Sequence, residues 1–287
     1  MTSRVMVVTD SAASLPEALI KRWDIAVVPL EVTIDDVVYR EATDRDSDRV
    51  LDALEAGRKV STSQPSVGAF EGVYRALAER GADRIVSIHI SGKISGTVNG
   101  ARLAAASSPV PVLVVDTGSV GMGAGWPALA AAAKAKNGAS ADEVAQEARR
   151  VAASASMLLT VDSLEYLRRG GRVPGTIALL GDALNVRPVL GVSEGEIVVL
   201  ERVRTTPRAR AAVVARAEAA IAELPNPGLA IMSLRAQAFA DDATAVLELK
   251  YPHLAKLVRT PVTSVLAVHG GPGSFAAAVA DLPIELR

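Results

Sequence analysis

The sequence contains no cysteine, which excludes disulfides, thiol nucleophiles and zinc–thiolate sites and fits a reducing, cytoplasmic compartment. Aromatic residues make up only 3% of the chain, too few to build the stacking platforms that hold nucleobases. Charge of one sign is also missing. Lys plus Arg is 31 against 32 for Asp plus Glu, a formal net charge of −1, so nothing in the balance attracts nucleic acid or an anionic membrane. No apolar run reaches the ~18 residues that a membrane span requires. The opening "MTSRVMVVTDS" lacks the apolar stretch and small-residue cleavage site of a signal peptide. There is no convincing Ser-His-Asp ordering of the hydrolase kind.

What is present is aliphatic. Hydrophobic residues are 49% of 287, enough for a large core and for two domains. An aliphatic lining without aromatic platforms suits an alkyl ligand better than a base. The first half alternates strands and helices, from "RVMVVTD" through "SLPEALIKRW" (Ser14 the expected N-cap), "ADRIVSIHI", "GTVNGARLAAASS", "VPVLVVDT" and two further helices. That order predicts an α/β fold with a doubly wound, mostly parallel sheet. After about residue 155 the pattern becomes mixed α+β, with strands "SMLLTVDS", "EGEIVVLERVR" and "GLAIMSL", and two short strands expected within "HLAKLVRTPVTSVLAVHGG". The expected domains are 1–154 and 155–287.

Two stretches are rich in neutral donors. "STSQPSVGAF" (61–70) places Ser61, Thr62, Ser63 and Ser66 ahead of the helix pattern "FEGVYRALAER". Several hydroxyls at a helix mouth can hold an anion without a formal positive charge, although a plain N-cap needs only one of them. "HISGKISGTVNGA" (89–101) alternates Ser91, Ser95 and Thr97 with Gly92 and Gly96, so that backbone and hydroxyls can approach a ligand. In a parallel sheet both would leave the carboxyl ends of strands, where such folds bind ligands. "GMGAGW" (121–126) lacks the full dinucleotide fingerprint. "DRDSD" (44–48) lacks the glycine and glutamate of an EF-hand. His269, in "AVHGGPGSF", is the one histidine among glycines. Arg168, Arg169 and Arg172 in "LEYLRRGGRV", and Arg202, Arg204, Arg208 and Arg210 in "ERVRTTPRARA", are either helix caps and solvated faces or a docking patch for an acidic partner.

The ordered set "VVTDSAASLP", "VVPLEVTID", "STSQPSVGAF", "ISGKISGT", "VDTGSVGMGAG", "VDSLEYLRRGGRV", "LNVRPVL", "GEIVVLERVRT" and "HGGPGS" resembles the DegV family, which includes FakB, the fatty-acid-binding subunit of bacterial fatty acid kinase. The resemblance implies a two-domain α/β protein with a long-chain fatty acid buried between the domains. It implies carboxylate contacts from Thr62, Ser95 and His269, with Arg172 and Arg204 engaging a kinase catalytic subunit. It implies no catalytic residue, metal or cofactor of the chain's own, and a cytoplasmic monomer with neither nucleic acid nor stable membrane insertion among its partners. Here Ser91-Gly92 and then Lys93 stand where the family often has Ser-Ser, which removes one donor and adds a cation. Independently of the family, an enzyme acting on a phosphorylated or acyl substrate with His269 as general base is the alternative.

Overall fold

The computed structural model describes residues 4–41, 46–173 and 186–286. The first two residues of "DRDSD" and of "LNVRPVL" lie outside them. The apolar run after Arg4 forms strand β1 (Val5–Asp10), the second strand of a parallel sheet. Its neighbours are β2 (Ala26–Val28), β6 (Arg84–His89) and β7 (Val112–Asp116), in the order β2-β1-β6-β7. Every residue of β1 is buried, because each face of the sheet carries helices. Alternation sorts its side chains. Met6 and Val8 pack with Phe70, Tyr74 and Leu77 of α3 (Val67–Glu79) and with Ala101 and Ala104 of α4 (Thr97–Ala105). Val5 and Val7 face α5 (Met122–Lys136) and α6 (Ala141–Ser154).

A second sheet of six strands has the order β10-β9-β8-β13-β11-β12. The strands are β8 (Ser156–Thr160), β9 (Arg187–Ser193), β10 (Glu196–Val203), β11 (Pro227–Ser233), β12 (Lys256–Pro261) and β13 (Phe275–Asp281). Phe275, Ala277 and Val279 of β13 pack with α8 (Thr206–Glu223) and α9 (Gln237–Lys250). Ala276, Ala278 and Ala280 turn the other way, into the core shared with α5. Helix α5 therefore lies between the two sheets and is buried from Met122 to Ala133. Trp126 Nε1 donates to Ala278 O at 3.1 Å across this contact. The glycines of "GMGAGW" serve the same packing. A methyl on Gly125 would come 2.6 Å from Ala13 O, and one on Gly123 2.2 Å from Ser119 Oγ, so they admit close neighbours rather than a phosphate.

A small antiparallel sheet, β4-β3-β5, completes the fold: β3 (Glu31–Ile34), β4 (Val37–Arg40) and β5 (Val60–Ser63). Helices α1 (Glu17–Trp23) and α2 (Asp46–Glu55) connect the early strands. Three expectations need correction. Ser14 does not cap α1; it sits in the left-handed region at φ 55 and ends a single 3-10 turn, and α1 starts after Pro16. Thr62 lies on an edge strand of the antiparallel sheet, not in a loop of the parallel one. "TSVLAVHGG" is not a strand. Ser264–Gly270 is a helix, α10, because the Val265 N–H goes to Glu41 Oε1 at 2.7 Å instead of to a ladder partner. The C-terminal β13 lies at the centre of its sheet.

Candidate functional site

The four hydroxyls of "STSQPS" divide by position. Thr62 shares a half-buried face of β5 with Val60, while Ser61 and Ser63 point to solvent, as the period of two dictates. Ser63 Oγ donates to Glu31 at 3.2 Å. Ser66 accepts from Ala69 N at 3.2 Å and caps α3, so the plain-cap reading holds for that one hydroxyl. Thr62 Oγ1 is left to meet His269 Nε2 at 2.9 Å, across 207 residues of chain.

His269 stands in the last turn of α10 and is held there by glycines on both sides. The short helix α7 (Glu165–Arg169) ends in a Schellman turn: Gly171 takes φ 67, its N–H reaches Arg168 O at 3.0 Å, and Arg172 N–H reaches Leu167 O at 3.1 Å. This brings Gly170 so near the imidazole that a methyl there would lie 2.1 Å from His269 Nδ1. Reciprocally, a methyl on Gly271 would lie 2.3 Å from the Tyr166 ring. "LEYLRRGGR" and "HGGPGS" are thus two halves of one contact. His269 Nδ1 is buried without a partner among the described residues. Burial, and secondarily the positive charge of Arg172, push the His269 pKa down to about 4. At neutral pH the imidazole is uncharged, and beside Thr62 it makes a neutral site able to donate and accept.

Ser95 lies in the loop between β6 and α4, at the carboxyl edge of the parallel sheet where the chain order reverses, the usual ligand crevice of such folds. Its hydroxyl pairs with Thr97 Oγ1 at 2.8 Å. No hydrogen bond joins it to Thr62 or His269 among the described residues. The connection is Gln64, whose Oε1 lies 1.7 Å from where a Cβ on Gly96 would be. The two donor-rich segments therefore meet as the sequence suggests, through a glutamine that sequence reasoning passed over. Ser91 is not a free donor. It is buried and its hydroxyl donates to Gly195 O at 2.7 Å in the β9–β10 turn. The stem of Lys93 lies along the same glycine, with the residue itself exposed.

The arginines separate. Arg172 is half-buried, and its guanidinium donates to Gly170 O while its charge reaches His269. It caps its own helix end and flanks the candidate site, rather than standing free. Arg204 is exposed and makes no hydrogen bond or ion pair among the described residues. Arg169 pairs with Glu165 at 2.5 Å. Arg210 donates to Gly273 O at 3.1 Å and lies 5.6 Å from the Phe239 ring centre. Arg187 donates to Asp162 O at 2.6 Å and to Thr206 Oγ1 at 3.2 Å, and Asp162 packs against Gly273; this joins the segments "VDSLEYLRRGGRV", "LNVRPVL" and "HGGPGS".

A Ser-His-Asp chain does exist in space. His89 Nδ1 lies 2.9 Å from Asp10 Oδ2, and Ser87 Oγ lies 2.6 Å from His89 Nε2. All three are fully buried and Tyr74 OH donates to Ser87 at 2.9 Å, so the serine cannot reach a substrate. Among the described residues no His/Cys/Asp/Glu group of three could hold a metal ion, and no helix is long and apolar enough to cross a membrane.

The family described as "Uncharacterised protein, DegV family" matches residues 4–281. A DegV domain-containing protein of Streptomyces coelicolor is 40% identical over 98% of this chain and 100% of its own length. Among solved structures, a DegV family protein from Thermus thermophilus, described for its fatty acid binding, is 33% identical with a TM-score of 0.87, covering 97% of this chain and 100% of that one. DegV from Bacillus subtilis, described as a fatty acid binding protein, is 27% identical with a TM-score of 0.89, covering 97% and 99%.

Proposed function

This chain belongs to the DegV family, and on that premise we propose that it binds a long-chain fatty acid, holds the carboxylate with Thr62, Ser95 and His269, and presents it to a separate kinase subunit for conversion to acyl phosphate. The observation that carries this reading is the 2.9 Å contact between Thr62 and His269 at the half-buried end of α10. A carboxylate held by hydroxyl and neutral imidazole donors stays nucleophilic, whereas a lysine bridge would neutralise it. Affinity then comes from the alkyl chain, at ~0.8 kcal/mol for each buried CH₂. Arg204, exposed and unpaired, is suited to an acidic partner surface, and Arg172, beside His269, to the transferring phosphate. The reading also takes 1–154 and 155–287 as the two domains, with the acyl chain between them, in a cytoplasmic monomer without a cofactor. His269 as general base has little support, since a pKa of about 4 is far below the operating pH that an efficient base matches.

Native mass spectrometry of gently purified protein should show a bound C14 to C18 fatty acid. Thr62→Ala with Ser95→Ala should weaken palmitate rebinding by ~1.5–3 kcal/mol for each lost bond without unfolding the protein. Equal rebinding by the double variant defeats the carboxylate assignment. Arg204→Ala should leave lipid content and Tm alone and lower turnover with a cognate kinase subunit. Unchanged turnover removes the docking role.

A further inference from the structure

Behind the site, where β1 ends, a small cavity of ≈ 10 Å³ is bounded by Thr9, Asp10, Ser11, Glu41 and Thr263, with Leu15, Ile20 and Val27 closing its apolar side. Four of these residues carry a buried oxygen with no partner among the described residues: Thr9 Oγ1, Asp10 Oδ1, Glu41 Oε2 and Thr263 Oγ1. The residues are 1%, 1%, 6% and 8% exposed. Four such oxygens around one space are not an accident of packing, because buried polar groups without partners cost ~1–3 kcal/mol each.

The other oxygen of each carboxylate is already engaged. Asp10 Oδ2 accepts from Ile90 N at 3.1 Å and meets His89 Nδ1 at 2.9 Å. The hydrogens behind it run one way, from Tyr74 OH to Ser87 Oγ, from Ser87 to His89 Nε2, and from His89 Nδ1 to Asp10. Glu41 Oε1 accepts from Val265 N at 2.7 Å, at the head of the helix that presents His269. Both carboxylates therefore turn their second oxygen to the same space, whose volume matches one water molecule.

We propose that this cavity is a binding site for a single buried water molecule that bridges Asp10 Oδ1, Glu41 Oε2 and the hydroxyls of Thr9 and Thr263. The hydrogen count closes with both carboxylates ionised: the water donates to Asp10 Oδ1 and Glu41 Oε2 and accepts from the hydroxyls of Thr9 and Thr263, four bonds in all. Burial raises the Glu41 pKa above the usual carboxylate value, with a smaller push from the negative charge of Asp10, against the nearby Ser11 and Thr263 hydroxyls and the Val265 N–H, which favour its charged form. The charged and titratable groups facing Glu41 are Asp10, with His89 behind it, and, around a second small void, Arg40 and Arg49 with Tyr39. Arg49 lies over the Tyr39 ring at 4.0 Å and donates to its hydroxyl, and Arg40 faces Glu31. The water would thereby tie the end of β1, the segment after β4 and the approach to α10 into one polar node.

A high-resolution crystal structure of the wild-type protein tests the site directly. The expected result is one spherical density at hydrogen-bond distance, ~2.6–3.2 Å, from all four oxygens. Contacts near ~2.4 Å, or a Tm that rises when sodium or potassium replaces a bulky organic cation at equal ionic strength, would mean an ion instead and overturn the proposal, as would rotamers that pair the four oxygens with the protein alone. The Glu41 titration is tested with Glu41→Gln, which keeps the acceptor for Val265. A group with a raised folded pKa loses stability as pH rises from its unfolded to its folded value. The wild-type Tm should therefore fall relative to E41Q as pH rises through and above the ordinary carboxylate range. Parallel Tm curves would show that folding does not raise the Glu41 pKa. The crystal structure decides the water even if E41Q does not fold.

Discussion

Gly170→Ala is the sharpest perturbation available at the candidate site. The backbone there is at φ −72, a conformation alanine accepts, and relief of glycine's unfolded-state entropy alone would stabilise the protein by ~0.4–1 kcal/mol. The new methyl, however, would stand 2.1 Å from His269 Nδ1 and 2.7 Å from Cε1, with Tyr166 O at 3.3 Å. The imidazole would have to retreat by about 1.5 Å to restore ordinary contact, and its 2.9 Å bond to Thr62 would not survive the move. Overpacking of this kind costs ~1–3 kcal/mol. The net loss is therefore about 1–2 kcal/mol, a fall in Tm of roughly 2–8 °C for a chain of this size. If His269 helps hold the carboxylate, fatty-acid affinity falls as well, by ~1.5–3 kcal/mol or about 10- to 150-fold. Calorimetry of lipid-stripped protein and palmitate rebinding read the two effects separately. In the double variant Gly170→Ala/His269→Ala the clash is gone, so the alanine at 170 should cost nothing further, a clear departure from additivity. A single variant as stable and as tight-binding as the wild type would refute the placement of His269 against this glycine.

Ser91→Ala should leave the Gly195 carbonyl without its partner and destabilise the protein by ~1–3 kcal/mol, with palmitate rebinding unchanged; selective loss of binding would restore Ser91 as a ligand donor. His269, with its folded pKa depressed to about 4, should make stability fall as pH drops below the unfolded value near 6.5, because only the unfolded chain then takes the proton; the full effect is about 3 kcal/mol, and His269→Gln should flatten that limb of a Tm–pH curve. Arg172→Ala should move the His269 titration, followed by imidazole NMR, back toward the ordinary value, and no movement would show that burial alone sets it.

The parallel sheet was legible because its signal is local: continuous apolar strands such as "VMVV", separated by helices of the right length, leave few other arrangements. The meeting of the two hydroxyl segments was legible only in part: Ser95 follows a strand of the parallel sheet as expected, but the other segment comes from the edge of the antiparallel sheet. What failed were features decided by distant partners. Nothing in "TSVLAVHGG" announces that Glu41, some 224 residues earlier, will take the first free N–H and let a β-branched segment close into α10. Ser91 read as a donor for ligand because its acceptor, Gly195 O, lies 104 residues away. For Arg172 the sequence leaves a helix cap and a docking role both open, because it does not show that its own helix end will lean on His269. Gln64 sat in view between Ser63 and Pro65, and only the absence of a side chain on Gly96 explains its place.

The position of β13 has a consequence for how the chain is made. Synthesis delivers the parallel sheet first, and N-terminal units generally fold as they emerge, at ~5–20 residues per second. Helix α5 comes out with one face ready for that sheet and the other committed to Ala276, Ala278 and Ala280, about 150 residues later. Strands β8 and β11 emerge earlier, but they do not pair with each other: both pair with β13, which separates them. Until that strand arrives, a helix buried from Met122 to Ala133 in the finished protein shows an alanine-lined flank to solvent. A ribosome stalled shortly before residue 275 would hold a nascent chain with a finished first sheet and an open second one, and release of the last strand would act as the closing step.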